Sequence, residues 1–255
     1  MTRDVDQKKP RKADKADNAT LQRLNQFVAQ QGQLSRRKAD EAIMDGRVTV
    51  NGRPAEVGQK VHPHLDKIFL DKQPLTLQKQ QYVVFHKPKG VLTTASDPKD
   101  RQTIYDVQPN QYKHLKPAGR LDRNTSGLLI LSNDGDFLNH LMHPSFGHKK
   151  LYRVTVDKKL TRTVLEQLEA GVWFEAEQVH AKAVVAEIHD VHKIDLSLTT
   201  GYNRQVRRMF EALGYTVVTL KRLAIGHVQL GNLSPGQCRP LSLRDRQAFL
   251  RKQRQ

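Results

Sequence analysis

Cysteine is nearly absent from this sequence, with Cys238 the single one among 255 residues. An intramolecular disulfide is therefore excluded, and a zinc site would have no second thiol to use. We interpret Cys238 as an ordinary packing residue. No apolar run reaches the length of a membrane span, and the opening MTRDVDQKKPRKADKAD has no apolar core of the kind that a signal peptide needs. These absences predict a protein that stays in the reducing environment of the cytoplasm.

Motifs that bind cofactors are missing as well. The sequence contains no Gly-rich phosphate loop and no Ser/His/Asp arrangement of the kind used in nucleophilic catalysis. Its 11 histidines show neither the HExxH pattern nor a similar spacing of metal ligands. We therefore expect neither a metal ion nor a small-molecule cofactor.

Acidic residues are few relative to basic ones. The sequence has 43 Lys and Arg against 26 Asp and Glu, which gives a formal net charge of +17. Because Lys and Arg release condensed counterions when they contact phosphates, this excess predicts a polyanionic partner. An anionic membrane surface is the alternative, but no strongly amphipathic basic helix with exposed aromatic residues supports it. The charge therefore favours a nucleic acid.

The distribution of apolar residues divides the chain into five parts. The first mixes Lys, Arg and Asp with almost nothing apolar, which is typical of disorder. The predicted parts are a disordered basic arm at 1–18, a small domain at 19–75, a linker at 76–81, a larger domain at 82–242 and a basic C-terminal tail at 243–255.

The small domain has clear local signals. Apolar residues from Leu21 onward share one helical face, and Gly32 follows where a helix end is expected. Ser35 is a good N-cap for a second helix, from Arg36 to about Asp45. Asn51-Gly52, which follows an alternating Val-Thr-Val, is the strongest short hairpin signal available. The pattern predicts two short helices followed by small hairpins.

Three basic residues, Arg36, Arg37 and Lys38, open the second helix. Cations at a helix N-terminus oppose the macrodipole by roughly 0.3 to 1 kcal/mol each. Something else must favour them there, and a phosphate bound by these side chains and the free backbone donors would do so. The alternative is an exposed helix whose charges only keep the protein soluble.

The larger domain is rich in strands. Apolar or alternating runs predict strands at 82–85, 128–131, 151–156 and twice within 179–200, and helical patterns cover 160–170 and 203–213. Strands outnumber helices and do not follow a regular βαβ order. We therefore predict an α+β fold with a mixed, largely antiparallel sheet flanked by helices.

One carboxylate, Asp122, lies in a polar loop just before the predicted strand at 128–131. Its neighbours Arg120 and Arg123 favour the ionised form, which can serve as a nucleophile or a base. A surface aspartate in a turn is the alternative. The position predicts a side chain that is fixed and still reachable.

The helix predicted at 203–213 carries three arginines. At about 100° per residue, Arg207 lies at the edge of the apolar face, while Arg204 and Arg208 point toward solvent. A buried Arg207 needs a carboxylate partner, for which Asp122 is the candidate. Arg204 and Arg208 are predicted phosphate contacts, with surface solubility as the alternative.

Four blocks resemble, in order, the RNA pseudouridine synthases of the ribosomal small-subunit and large-subunit branch. They are HKPKGVLTT, GRLDRNTSGLLILSNDG, LYRVTV and GYNRQVRRMFEALGY. Ahead of them, LSRRKADEAIMDGRVTVNG resembles the S4 domain, a small RNA-binding module. Together they imply an S4-like domain followed by a pseudouridine synthase domain.

The resemblance also implies roles for individual residues. Asp122 matches the catalytic aspartate, and Arg207 matches the basic residue that pairs with it. Tyr152 matches the aromatic that stacks against the target base, with an ordinary core tyrosine as the alternative, and Leu198 is expected in the uracil pocket. Arg120 matches the arginine that fills the space left by the extruded nucleotide, and Lys87 and Lys89 are expected near backbone phosphate or simply solvated.

The implied reaction isomerises a uridine within RNA and needs no cofactor. The implied partner is ribosomal RNA or a ribosomal subunit precursor, more in keeping with the large subunit, and the expected state is a monomer without membrane contact. One alternative is an inactive S4-bearing factor that only binds RNA during ribosome assembly. Another is a synthase that acts on transfer RNA.

Overall fold

The computed structural model describes residues 21–251. The predicted basic arm at 1–18 and the last residues of the predicted tail, 252–255, lie outside the described residues. The chain divides into two compact units, the first ending at Lys79 and the second beginning at Gln80. This division falls within the segment predicted as a linker.

Among its described residues, which begin at Leu21, the first unit contains two helices and six short strands. Its helices are α1 (Leu24–Gln31) and α2 (Arg36–Met44). Its strands are β1 (Gln22–Arg23), β2 (Val48–Val50), β3 (Arg53–Pro54), β4 (Lys60–Val61), β5 (Ile68–Leu70) and β6 (Gln73–Pro74). One antiparallel sheet has the order β3-β2-β5-β6, and β1 pairs with β4.

The local signals of the first unit are confirmed. The Ser35 side chain accepts a hydrogen bond of 3.1 Å from the backbone N–H of Lys38 and so caps α2. Asn51 and Gly52 have φ angles of 51° and 81°, the two positive values that a tight turn of type I′ requires between β2 and β3. The helices and strands share one core, built on Leu24, Phe27, Val28, Ala39, Ala42, Ile43, Val48, Val61 and Ile68.

The second unit contains five helices and eleven strands among the described residues. The helices are α3 (Ile104–Val107), α4 (Gly135–Met142), α5 (Arg162–Ala170), α6 (Gln205–Ala212) and α7 (Leu243–Leu250). The strands are β7 (Tyr82–Lys87), β8 (Lys116–Pro117), β9 (Ser126–Ser132), β10 (Lys150–Val156), β11 (Val172–Phe174), β12 (Val179–Ala181), β13 (Val184–Asp190), β14 (Lys193–Leu198), β15 (Val217–Ile225), β16 (Val228–Gln229) and β17 (Cys238–Pro240).

The main sheet has the order β13-β14-β10-β15-β9-β7-β17. The pair β15 and β9 is parallel, and the other pairs along this order are antiparallel. Leu128 and Ile130 of β9 pack on the side of α4 and α7, while Leu129 and Leu131 pack on the side of α3. Because β9 is covered on both faces, its sequence is a continuous apolar run rather than an alternation. The predicted α+β fold is confirmed.

Strands β9 and β15 approach each other closely at Gly127. This residue pairs with Arg222, and a Cβ placed on it would lie 2.2 Å from the carbonyl oxygen of Arg222. Its φ of +116° is also one that side chains rarely adopt. Only glycine fits here, so the sequence Thr-Ser-Gly ahead of the apolar run fixes the contact between the two strands.

The segment predicted as a basic tail is in part a packed helix. In α7, the Ser242 side chain caps the first turn by accepting a 3.0 Å hydrogen bond from Asp245 N–H. Phe249 is 1% exposed and packs edge to face on Phe137, with the ring centroids 6.2 Å apart. The tail prediction is therefore wrong for 243–250, because one buried phenylalanine anchors a helix that is otherwise mostly polar. Within residues 21–251, no helix combines the length and apolar character needed to cross a membrane.

Candidate active site

The second unit has a cavity of about 290 Å³ beside β10, β14 and β15. Its wall combines apolar and cationic side chains with one loop carboxylate. Five predicted site residues line it, namely Arg120, Asp122, Tyr152, Leu198 and Arg204. Residues far apart in sequence are thus brought to one place by strand pairing.

Asp122 lies in the loop between β8 and β9. Its carbonyl oxygen accepts a 3.0 Å hydrogen bond from Thr125 N–H, which closes a tight turn. The preceding Leu121 is 6% exposed, and its carbonyl accepts a 2.9 Å hydrogen bond from the hydroxyl of Thr93. Asp122 itself is half-buried and lines the cavity. The carboxylate is held by buried neighbours while remaining open to a ligand, as its sequence position predicts.

Lys87 corrects one prediction. Its side chain is fully buried, and Nζ donates hydrogen bonds of 2.9 Å to the carbonyl oxygens of Pro88 and Thr125. Burial lowers the pKa of Lys87 to about 8, and the charge of Asp122 opposes that shift. The expected phosphate contact is therefore wrong for Lys87, which instead ties β7 to the Asp122 loop. Lys89 is exposed, and its role stays a prediction.

Arg207 is half-buried at the edge of α6, as its helical position predicts. Its Nη1 and Nη2 each donate a 3.0 Å hydrogen bond, to the carbonyl oxygens of Val217 and Asn124. The ion pairs within residues 21–251 do not include one with Asp122, so the predicted direct pairing is wrong. Burial lowers the pKa of Arg207, and the charge of Asp122 opposes this. The negative charge of Asp122 thus attracts the Arg207 guanidinium electrostatically, without a direct ion pair.

Arg208 corrects a second prediction. Its two terminal nitrogens each donate a 2.8 Å hydrogen bond to the carboxylate of Glu177, and its guanidinium lies 3.8 Å from the ring centre of Phe174. This geometry commits the charge within the protein. The expected phosphate contact is therefore wrong for Arg208. Arg204 remains exposed at the start of α6 and lines the cavity.

Arg222 is a cavity residue that the sequence analysis missed. It lies on β15 opposite Tyr152 of β10 and is 4% exposed. Its Nε donates a 2.7 Å hydrogen bond to the carbonyl oxygen of Leu128, and its Nη1 donates one of 3.4 Å to the hydroxyl of Tyr152. The sequence does contain a pattern that indicates its burial. Arg222 lies two residues from both Leu220 and Ala224 on one strand, so all three side chains share the buried face.

Two further basic residues line the cavity. Burial and the charge of Arg222 lower the pKa of Lys150, whose Nζ donates a 3.1 Å hydrogen bond to the carbonyl oxygen of His148. His148 is 4% exposed, and neither ring nitrogen has a hydrogen-bond partner. Its pKa is lowered to about 4 by burial and then by the charges of His140, Lys150 and His227. Burial, and to a smaller extent the neighbouring basic groups, thus disfavours the charged form of His148.

In the first unit, Arg36, Arg37 and Lys38 are all exposed at the start of α2. The Ser35 cap takes the N–H of Lys38, so the preceding backbone donors remain outside the cap. This arrangement is compatible with the predicted phosphate site, which stays a prediction.

A possible metal-ligand group lies away from the cavity, on β13 and β14. Ligand atoms of Glu187, His189 and Asp195 lie within 4.8 Å of one another. Arg153, however, donates two hydrogen bonds of 2.8 Å to the Asp195 carboxylate, and its Nη2 lies 2.9 Å from Nε2 of His189. A guanidinium thus already takes the place that a cation would need.

Comparison with known proteins agrees with this architecture. Residues 81–212 match the RNA pseudouridylate synthase family, and residues 22–66 match the S4 domain. The ribosomal large subunit pseudouridine synthase B of Bacillus subtilis is 38% identical over 87% of this chain and 93% of its own length. The dual-specificity RNA pseudouridine synthase RluF of Escherichia coli K12 is 35% identical over 86% of this chain and 75% of its own length.

A crystal structure of a pseudouridylate synthase has a TM-score of 0.66 to this chain at 32% identity. The match covers 89% of this chain and 99% of that one. The family predicted from the sequence motifs, with an S4 domain ahead of a pseudouridine synthase domain, is confirmed. The chain belongs to the RNA pseudouridine synthases and carries an S4 domain ahead of a domain that isomerises uridine in RNA.

Proposed function

We propose that this enzyme converts a specific uridine of ribosomal RNA, in the large subunit, to pseudouridine, with Asp122 as its catalytic carboxylate. The main support is the cavity that Asp122 shares with Tyr152 and Leu198. The assignment to the large subunit is supported by the Bacillus subtilis relative, whose name specifies that substrate.

The side chains divide the work of this reaction. The bond from N1 of uracil to C1′ of the sugar breaks, the base turns, and C5 bonds to C1′. Tyr152 gives the flipped base a stacking platform, and Leu198 is an apolar wall beside it. Asp122 attacks the sugar, attacks the base, or removes a sugar proton. The Arg207 guanidinium supplies positive charge near the Asp122 carboxylate, with which it interacts electrostatically.

Other basic residues bind the RNA around the cavity. Arg204 and Arg120 are exposed at its rim, and Arg120 fills the space that the extruded nucleotide leaves. Lys89 contacts backbone phosphate from the neighbouring turn. In the first unit, Arg36 and its two basic neighbours bind phosphates of the same RNA. The enzyme acts as a monomer without a cofactor.

The test is tritium release from large-subunit ribosomal RNA labelled at C5 of uridine, because bond formation at C5 expels that hydrogen. We expect release by the wild type and a loss of about a thousandfold or more in Asp122→Asn, with unchanged RNA affinity. Asp100→Asn is the control, since Asp100 is exposed at a φ of 50° that asparagine also adopts.

The exposed basic start of α2 supports a second candidate, an S4-bearing ribosome-assembly factor that binds RNA without modifying it. Absence of release by the wild type, on naked RNA and on assembly intermediates, would favour this binding role. Release from transfer RNA alone would instead change the substrate and leave the chemistry in place.

A further inference from the structure

Arg222 has an unusual set of partners for a buried arginine. A guanidinium has five N–H donors, and the protein engages Arg222 through Nε and Nη1. Its Nη2 is buried and has no hydrogen-bond partner. Within residues 21–251, no carboxylate forms an ion pair with it. The fold thus buries a cation and leaves part of its donor capacity unused.

Such an arrangement is unfavourable for the free protein. A buried charge without a counterion loses its hydration, and an unpaired donor loses a hydrogen bond to water. An apolar side chain of similar length would fill the same space on β15 without either loss. The stability of the fold therefore does not account for this buried charge. We infer that Arg222 binds a group that enters the cavity.

The position of Arg222 identifies that group. Arg222 lines the cavity together with Asp122 and Tyr152, and its Nη1 contacts the Tyr152 hydroxyl. Gly127 allows β9 to approach the backbone of Arg222, and the carbonyl of Leu128, one residue later, fixes the guanidinium through Nε. Under the proposed function, the group that enters beside Tyr152 is the target uracil.

The chemistry places negative charge on that base. If the N1–C1′ bond breaks first, its electron pair goes to N1 and is shared with the O2 and O4 carbonyls. C1′ then gains a bond to an Asp122 oxygen, or the sugar loses its C2′ proton to Asp122. If Asp122 instead adds to C6, the C5–C6 π electrons move to O4, and the N1–C1′ bond then breaks with its electron pair on N1. Each route ends when C5 bonds to C1′ and loses its proton to water, N1 takes up a proton from water, and the bond from Asp122 to C1′ or C6 breaks or Asp122 returns the C2′ proton.

We propose that Arg222 donates hydrogen bonds to a carbonyl oxygen of the target uracil and stabilises the negative charge that develops on the base during isomerisation. This inference rests on the proposed function and adds a residue to it. A preorganised donor in a water-poor cavity acts most strongly where charge appears in the transition state. The role is distinct from that of Arg207, whose terminal nitrogens both donate to main-chain carbonyls.

The first test compares Arg222→Met with wild type in single-turnover tritium release at saturating ribosomal RNA. We expect a rate about 100-fold to 1000-fold lower, with RNA affinity changed by less than about threefold. Arg239→Met is the matched control, because Arg239 also donates to a main-chain carbonyl, that of Gln229, outside the cavity. A rate for Arg222→Met within about threefold of wild type would overturn the inference.

A second variant, Arg222→Lys, keeps the charge and tests the role even if the methionine variant does not fold. The rate of this variant relative to wild type is measured on RNA that contains uridine and on RNA that contains 5-fluorouridine. With 5-fluorouridine, the reaction is followed by mass spectrometry as the disappearance of that nucleoside from the RNA. Fluorine stabilises an anionic base, so we expect the defect to be at least about threefold smaller on 5-fluorouridine. Equal defects on both would contradict charge stabilisation. Wild-type turnover without any Arg222 effect overturns this inference alone, whereas no wild-type turnover overturns the proposed function as well.

Discussion

Four arginines of the second unit form two pairs that differ in their partners. Arg153 and Arg208, away from the Asp122 loop, each grip a carboxylate through two nitrogens. Arg207 and Arg222 donate instead to main-chain carbonyls. A carbonyl orients a guanidinium without neutralising it, whereas a carboxylate does both. Among these four arginines, carboxylate pairing therefore separates the two whose charge is neutralised within the protein from the two near the Asp122 loop whose charge is not.

The second group has a common neighbourhood. Arg222 lines the cavity together with Asp122. The charge of Asp122 also interacts electrostatically with Arg207 and with the buried ammonium of Lys87. Buried charges act over longer distances than charges at the surface, where water screens them. The single loop carboxylate thus faces several cations and pairs directly with none of those three, which leaves it open to a substrate.

The largest effect that this comparison predicts is that of Arg207→Met. We expect the single-turnover rate to fall roughly 1000-fold, about 4 kcal/mol, because the variant removes the cation that acts on Asp122. The adjacent Arg208→Met is the matched control. Loss of its pair with Glu177 should lower the melting temperature and leave the rate within about threefold of wild type. Equal rate losses in both variants would contradict the inference that arginines paired with a carboxylate and arginines bound to main-chain carbonyls have different roles.

The second prediction concerns the energetic cost of burying His148 in the cavity wall beside other basic groups. The pKa of His148 is lowered to about 4, so the unfolded chain, with a histidine pKa near 6.5, binds more protons between these values. Stability should therefore be complete above about pH 6.5 and fall by about 3 kcal/mol as the pH drops toward 4. Urea unfolding across this range measures the loss.

His148→Phe is the control for this pH dependence. Phenylalanine keeps the ring contacts that His148 makes with Phe146 and Phe249, whose centroids lie 6.3 and 5.2 Å away, and it cannot gain a proton. The difference in stability between wild type and variant should change with pH over the window from 6.5 to 4. A constant difference would show that folding does not lower the pKa of His148.

Local signals in the sequence predicted much of this structure. The cap by Ser35 and the turn at Asn51-Gly52 depend on neighbours a few residues away, so they can be recognised before the fold is known. Asp122 and Tyr152 were found by motif, and the cavity does bring them together. Such features were accessible because either local chemistry or a contiguous pattern specifies them.

The features that were missed depend on contacts distant in sequence. The proline that follows Lys87 suggests an exposed turn, and the burial of Lys87 depends on its contact with the carbonyl of Thr125, in the distant Asp122 loop. Arg222 is engaged by Leu128, and α7 is held by the contact of Phe249 with Phe137. The sequence alone predicts a phosphate contact for Arg208, because its partner Glu177 is 31 residues away. In each case the partner, rather than the residue itself, decides the environment.

The smallest predicted effect concerns cations without a carboxylate partner at an exposed surface. There, the absence of such a partner should be weaker evidence for ligand binding than it is in the cavity. Replacing Arg36, Arg37 and Lys38 together by Ala should reduce RNA affinity about tenfold, and lower the slope of log affinity against log salt by about 2, if all three contact phosphate. The single-turnover rate at saturating RNA should stay unchanged. Replacing the exposed Lys60 and Lys72 of the same unit is the control. An unchanged salt slope would mean that an unpaired cation marks a ligand only where burial makes its charge costly.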